Sequence, residues 1–143
     1  MQISSKFTIA VHMMTCMAYF TEMEKVTSDF LAGSVGTNPV IIRNLMLSLK
    51  NAGLIEVKRG TGGATIKKSL EEITLFDIYT AVENEKEKGI FRFHENPNPA
   101  CPVGSTIHKT LDGRLAQIQD AMEAQMRSVT LWDVIRDTRE FNL

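Results

Sequence analysis

The stretch TNPVIIRNLMLSLKNAGL, residues 37–54, constrains the chain more than any other, because it reads as one amphipathic helix with both ends marked. Asn38 supplies an N-cap, since its side-chain oxygen can accept from an otherwise unpaired N–H of the first turn. Pro39 takes the first helical position, where its missing N–H costs nothing. On a helical wheel Ile42, Leu45 and Leu49 share one face, while Val40, Arg43 and Asn44 lie on the other. Gly53 then follows Ala52 as a C-terminal stop. The pattern predicts a helix with one face for a core and one face open to a partner. An ordinary surface helix looks the same, so its neighbours decide what the open face is for.

Upstream, Phe7, Ala10, Val11, Met14 and Ala18 recur at helical spacing and predict a helix over 6–19. Thr27 and Ser28 can cap a short helix, SDFLAGSV, anchored by Phe30, Leu31 and Val35. Gly36, Thr37 and Asn38 make a tight connection into the helix above, and two helices joined in this way form a helix-turn-helix. Downstream comes LIEVKRGTGGATIKK, in which 54–58 and 64–68 are β-branched strands separated by Gly60, Gly62 and Gly63. A hairpin with a basic tip at Lys58 and Arg59 is expected. The glycines do not form a phosphate-binding P-loop, because no Gly-Lys-Ser/Thr follows and no helix opens there.

EEITLFDIYTAVE predicts a further helix, with Leu75, Ile78, Tyr79 and Val82 on its apolar side and Thr74 with Asp77 as a capping pair. ENEKEKG is a solvated run, the end of that helix and a linker. FRFHENPNPACPVG is broken by Pro97, Pro99 and Pro102 and must be irregular. A long helix over 105–128 follows. Its Ile107, Leu111, Leu115, Ile118, Met122 and Met126, with Val129 just beyond, step by threes and fours, close to a coiled-coil seam. Such a seam needs a partner, and a second copy of the chain is the economical one. Thr130 with Asp133 starts a last short helix, TLWDVIRD, whose Leu131, Trp132 and Ile135 are expected to lock onto the body.

At 143 residues the chain suits one domain, or a small domain with an oligomerisation arm. Three parts are expected: 1–84 as a reading domain, 85–104 as linker and proline-rich loop, and 105–143 as dimerisation and terminal helices. The net charge of −1 hides an asymmetry. Residues 1–70 hold eight Lys/Arg and four Asp/Glu, net +4, while 71–143 hold eight and thirteen, net −5. A basic half joined to an acidic half fits a DNA-facing part and a separate part that does not touch DNA. No apolar run approaches the roughly 20 residues of a membrane span. The start MQISSKFTIAVHMM lacks the marks of a secretory leader, so a cytoplasmic location is expected. Two cysteines, Cys16 and Cys101, form neither a disulfide framework nor a zinc motif.

Taken together, these elements resemble the Rrf-two (BadM-type) family of bacterial winged helix-turn-helix transcription regulators, the group of IscR, NsrR and CymR. The resemblance is carried by the start MQIS-K-T-A, by GLIEVKRGTGGATIKK, by ITLFDIYTAVE and by the terminal TLWDVI, and it covers almost the whole chain. NPVIIRNLMLSLKNAG and HENPNPACPVG are most similar to the small YwnA-like members, which lack a full cysteine cluster. The implied fold is mainly α with a small β-hairpin wing: a winged helix-turn-helix domain plus a long C-terminal dimerisation helix.

The implied function is that of a homodimeric repressor that binds double-stranded DNA at a palindromic operator and blocks a promoter by occupying it. Thr37, Asn38 and Val40 would lead the recognition helix into the major groove. Arg43 and Asn44 would reach base edges or phosphates, since Arg pairs with guanine and Asn with adenine. Lys58, Arg59, Gly60, Thr61, Gly62 and Gly63 would form a wing along the minor groove and phosphates. Lys50, Lys67 and Lys68 are secondary. Leu111, Leu115, Ile118, Met122, Met126 and Val129 would form the dimer interface. Ala64 departs from the pattern, standing where many relatives place an aromatic after the paired glycines.

Iron–sulfur relatives carry three cysteines in the loop before the long helix, and a cluster needs about four ligands. Here the loop offers Cys101 alone, and His94 and His108 complete no recognisable site, so no cofactor is expected. Cys101 is a sensor candidate if its thiol is activated by Arg92, His94 or the start of the long helix. The bland reading makes it a small residue that shapes the loop. An enzyme is not expected: the pairing of Cys101 with His94 or His108 has nothing to orient the base. A winged-helix interaction module without DNA binding, or a regulator under a small-molecule effector, are the alternatives. A salt-dependent affinity for DNA separates the first of these from a regulator.

Overall fold

The computed structural model describes residues 4–60, 63–83 and 89–143. Within them the chain forms six helices and one two-stranded antiparallel sheet. The first helix, α1 (Ser5–Tyr19), buries Ala10, Met13, Met14, Cys16, Met17 and Ala18 and is the centre of the core. Next, α2 (Ser28–Val35) starts under a Thr27 cap, whose hydroxyl accepts from the Phe30 N–H at 3.1 Å. It ends at Gly36, whose φ of 79° is the left-handed conformation that reverses the chain. The recognition-type helix α3 (Pro39–Asn51) has the cap and first-turn proline read from the sequence, and buries Ile42, Leu45, Met46 and Leu49.

The hairpin joins β1 (Ile55–Lys58) to β2 (Gly63–Ile66), with Ile55 opposite Ile66 and Lys58 opposite Gly63. Gly63 is therefore a strand residue rather than part of the turn. Its φ is 71°, and an added Cβ would stand 3.0 Å from the Val26 backbone. Beside it the Ala64 N–H donates to the Val26 carbonyl at 2.8 Å, and the Ala64 side chain is buried. The wing is thus docked on the residues just before α2, through a close approach that only glycine fits.

The helix α4 (Leu75–Val82) opens on a complete capping box between Thr74 and Asp77, and α6 (Leu131–Phe141) opens on another between Thr130 and Asp133. These two starts lie side by side. The Leu75 N–H donates to Val129 at 2.9 Å and the Leu131 N–H to Ile73 at 2.8 Å, bridging Thr74 to Thr130. Leu131 and Ile135 are fully buried, and α6 packs on α1. Trp132, expected to lock there too, instead stays exposed, because it lies about 100° round the helix from Leu131. The long helix α5 (Ile107–Ser128) packs against α4. Between Gly89 and Thr106 the chain is irregular, as the prolines demand.

Two glycines separate packing from propensity. Gly63→Ala should destabilise the chain by about 1–3 kcal/mol, from left-handed strain and the Val26 contact. Gly113→Ala, mid-helix in α5 with open space around its Cβ, should stabilise it by about 0.5–1 kcal/mol. Urea unfolding of both variants at one protein concentration measures the pair. Equal stability of Gly63→Ala and the parent chain would mean the wing is not docked at Val26.

Candidate nucleic-acid interface

The open face of α3 is built by its first turn. Asn38 Oδ1 accepts from the Val40 N–H at 2.7 Å, so the acceptor of this side chain serves the helix. Thr37 is half-buried and its N–H donates to Ala32. Val40, Arg43 and Asn44 are exposed. The Arg43 Nε donates to the Pro39 carbonyl at 3.3 Å, which lays the guanidinium back along the first turn. Across a cleft from Arg43 stand Lys58 and Gly60 of the hairpin, and these two and Arg59 are exposed. Thr61 and Gly62 lie outside the described residues, and Gly63 is buried against Val26.

Between α3 and the wing lies a cleft of about 340 Å³. Arg43 and Lys50 line it from the helix and Lys58 from the wing, over an apolar floor of Met46, Leu47 and Val57. Thr27 and Ser28, at the start of α2, close one end. None of the lining residues is acidic. Leu47, Val57, Thr27 and Ser28 did not figure among the sequence candidates. For Leu47 the signal was available, since it follows Val40 by seven residues and so shares its face. For the others the cleft exists only once the hairpin folds against α3.

The model of the Rrf2 family, described as iron-dependent transcriptional regulator, matches residues 3–137. The chain belongs to the Rrf2 family. A curated relative, the HTH-type transcriptional regulator YwnA of Bacillus subtilis, is 38% identical over 133 residues, covering 93% of this chain and 96% of its own. A crystal structure described as that of a DNA-binding protein superposes with a TM-score of 0.70 at 33% identity, covering 92% of this chain and 99% of the other. T. potens IscR superposes with a TM-score of 0.72 at 22% identity, covering 100% and 92%, which shows the winged-helix fold alone.

For an Rrf2 chain the loop before α5 is the place to test for iron. The described residues hold no group of three or more His, Cys, Asp and Glu side chains able to hold a metal ion. Cys16 is buried on α1, 3.3 Å from the Ser34 hydroxyl. Both nitrogens of His108 are engaged, with the Asp112 carboxylate at 3.1 Å and the His94 carbonyl at 3.0 Å. Among the described residues, the donors do not fit a four-ligand cluster.

Cys101 has a different environment. It is half-buried in a run of turns, with its N–H donating to Asn98 and its carbonyl accepting from Ser105. Hydrogen bonding to the backbone of Gly104, and after it of Val103, pulls the thiol below its ordinary pKa, against a smaller effect of burial. Neither Arg92 nor His94 is among the causes. Gly104 is obligatory in this turn, since a Cβ there would run into the Asn98 carbonyl.

Along α5 the apolar seam divides. Met126 is buried at the end that packs on α4, where the Arg127 guanidinium stacks 3.9 Å over the Phe76 ring. Leu111, Met122 and Val129 are half-buried. Leu115 lines a hollow of about 210 Å³ with Phe91 and Phe93, and the Gln119 Oε1 accepts from the Ile90 N–H at 3.2 Å. Ile118 points to solvent, 51% exposed.

The thiol geometry has a measurable consequence. In the folded chain Cys101 should alkylate with iodoacetamide well before Cys16, and its rate should rise with pH through a midpoint below that of a free cysteine. Gly104→Ala, which displaces the N–H groups, should move that midpoint up. Mass spectrometry of quenched time points gives both, and a midpoint at the free-cysteine value would remove the activation.

Proposed function

We propose that this chain is a homodimeric repressor that reads a palindromic operator in double-stranded DNA with α3 and the wing. The observation that supports the reading most is the placement of Arg43 and Lys50 on α3 and Lys58 on the wing around one cleft free of acidic side chains. A helix in the major groove and a wing over the minor groove need cations where the intervening phosphate strand runs. Thr37, Asn38 and Val40 then stand where α3 meets the groove, Arg43 and Asn44 beside them, and Lys58 to Gly63 form the wing. A second copy would bury Leu111, Leu115, Ile118 and Met122 of α5, with Met126 and Val129 at the end of the same seam. The protein acts by occupancy rather than catalysis, in the cytoplasm, where no helix of the described residues is long and apolar enough to cross a membrane.

The activated thiol of Cys101 favours a redox input. Attack of the thiolate on a peroxide cleaves the O–O bond, leaves a sulfenic acid on Cys101 and releases hydroxide or alkoxide. That step would change the group that the backbone of Gly104 and Val103 meets in the turn leading into α5. No resident cofactor is needed for this.

Fluorescence anisotropy with duplexes selected from random DNA tests the reading. Affinity should fall steeply as salt rises, because each neutralised phosphate releases condensed counterions. Arg43→Ala should cost about 1–3 kcal/mol, with relaxed preference at one position per half-site if it reads a base. Equal loss on every sequence would make Arg43 a phosphate contact. Light scattering at micromolar concentration should give the mass of a dimer; a monomer would remove the α5 interface.

A further inference from the structure

The open face of α3 is apolar where a solvated helix would be polar. At 100° per residue, Val40, Asn44, Leu47 and Asn51 run along its midline, directly opposite the buried Ile42, Leu45 and Leu49. Val40 is 54% and Leu47 56% exposed. Arg43 and Lys50 lie off this line, on the side that faces the wing across the cleft, where Lys58 stands, and Leu47 also reaches the floor of that cleft. The helix therefore carries a flanking row of cations and a central row that is half apolar. The cations fit a phosphate strand. The apolar pair needs a surface that is itself apolar yet lies between phosphates. On the major-groove edge of a base pair the thymine C5-methyl is the apolar group offered.

We propose that Val40 and Leu47 are specificity-determining residues that each pack on a thymine methyl, with Asn44 between them on the edge of an intervening base. The inference rests on the DNA-binding reading above. Seven residues of α-helix separate the two side chains by about 10 Å. That spans roughly three base-pair steps of about 3.4 Å each. Asn44 lies within the interval, and its amide suits adenine, whose N6 and N7 offer a donor and an acceptor. The half-site so described carries two thymines about three base pairs apart with an adenine between them, on whichever strands bring these groups to the face.

The test replaces single thymines by uracil in the selected duplex, which removes one methyl and leaves pairing and hydrogen-bonding edges unchanged. Two positions per half-site, about three base pairs apart, should weaken binding about four-fold each, the effect of one buried methyl. Val40→Ala should become indifferent to uracil at one position and Leu47→Ala at the other. Both variants should keep the salt dependence and melting temperature of the parent, since both side chains lie outside the core. Sequence-selective binding that treats thymine and uracil alike at every position overturns this proposal alone. Failure to enrich any duplex overturns the DNA-binding reading, and this one with it.

Discussion

Burial of the methionines of α1 is the interaction on which the other elements depend. Met13, Met14 and Met17 are essentially inaccessible to solvent, and α2, α3, α4, α6 and β2 all pack on their helix. Unbranched, pliable side chains suit a site approached from five directions, because they fill gaps that a β-branched residue would leave. Each such side chain is worth about 1.5–3 kcal/mol of burial, so the hub outweighs any single cap or hydrogen bond in the structure. It also couples the two ends of the chain, for α3 near the N-terminal side and α6 at the C-terminal end rest on the same helix.

From that hub the open face of α3 and the wing are fixed by two short-range devices of different kinds. The cap at Asn38 and the stop at Gly53 set the length of α3, and the buried Ile42, Leu45 and Leu49 set its rotation. The angle of the wing is set elsewhere, where Gly63 and Ala64 meet the Val26 backbone. Ala64 is the departure noted in the sequence. The strand lies so close to Val26 that its small side chain is already buried, and the residue before it has no room for any side chain at all. The cleft between helix and wing is the product of both devices, so its cations converge only when both are in place.

What was legible in the sequence was local. Asn38 with Pro39, Thr74 with Asp77, and Thr130 with Asp133 act within one helical turn, and spacing alone is enough to find them. The bounds of α3 and the apolar faces of α3 and α4 follow from periodicity for the same reason. On α1 periodicity marks Ala10, Met14 and Ala18 but passes over Met13 and Met17, because that helix is covered on more than one face. Contacts between distant segments were not legible. Gly63 looked like one more turn glycine until Val26 came to lie against it. Trp132 looked like an anchor because it is large, but Leu131 and Ile135 occupy the inward face. The steps of three and four along α5 were visible, yet they do not say which partner covers each residue. Met126 is covered by the chain's own body, while Ile118 is not.

The loop around Cys101 is connected to α3 through solid structure. His108 ties the loop to α5 by its bond to the His94 carbonyl, the far end of α5 rests on α4, and α4 packs on α3. Spatial continuity of this kind is not in itself coupling, which needs an element with two arrangements that both ends can bias. Close-packed helices shift as units rather than deform, so the route can carry such a bias without dissipating it. The thiol of Cys101 is a group beside that route whose chemical state oxidation can change. Hydrogen bonding to the backbone of Gly104 and Val103 favours the thiolate, and its conversion by a peroxide to a neutral sulfenic acid would remove that charge from the sulfur. The turn that holds it, residues 101–106, leads directly into α5.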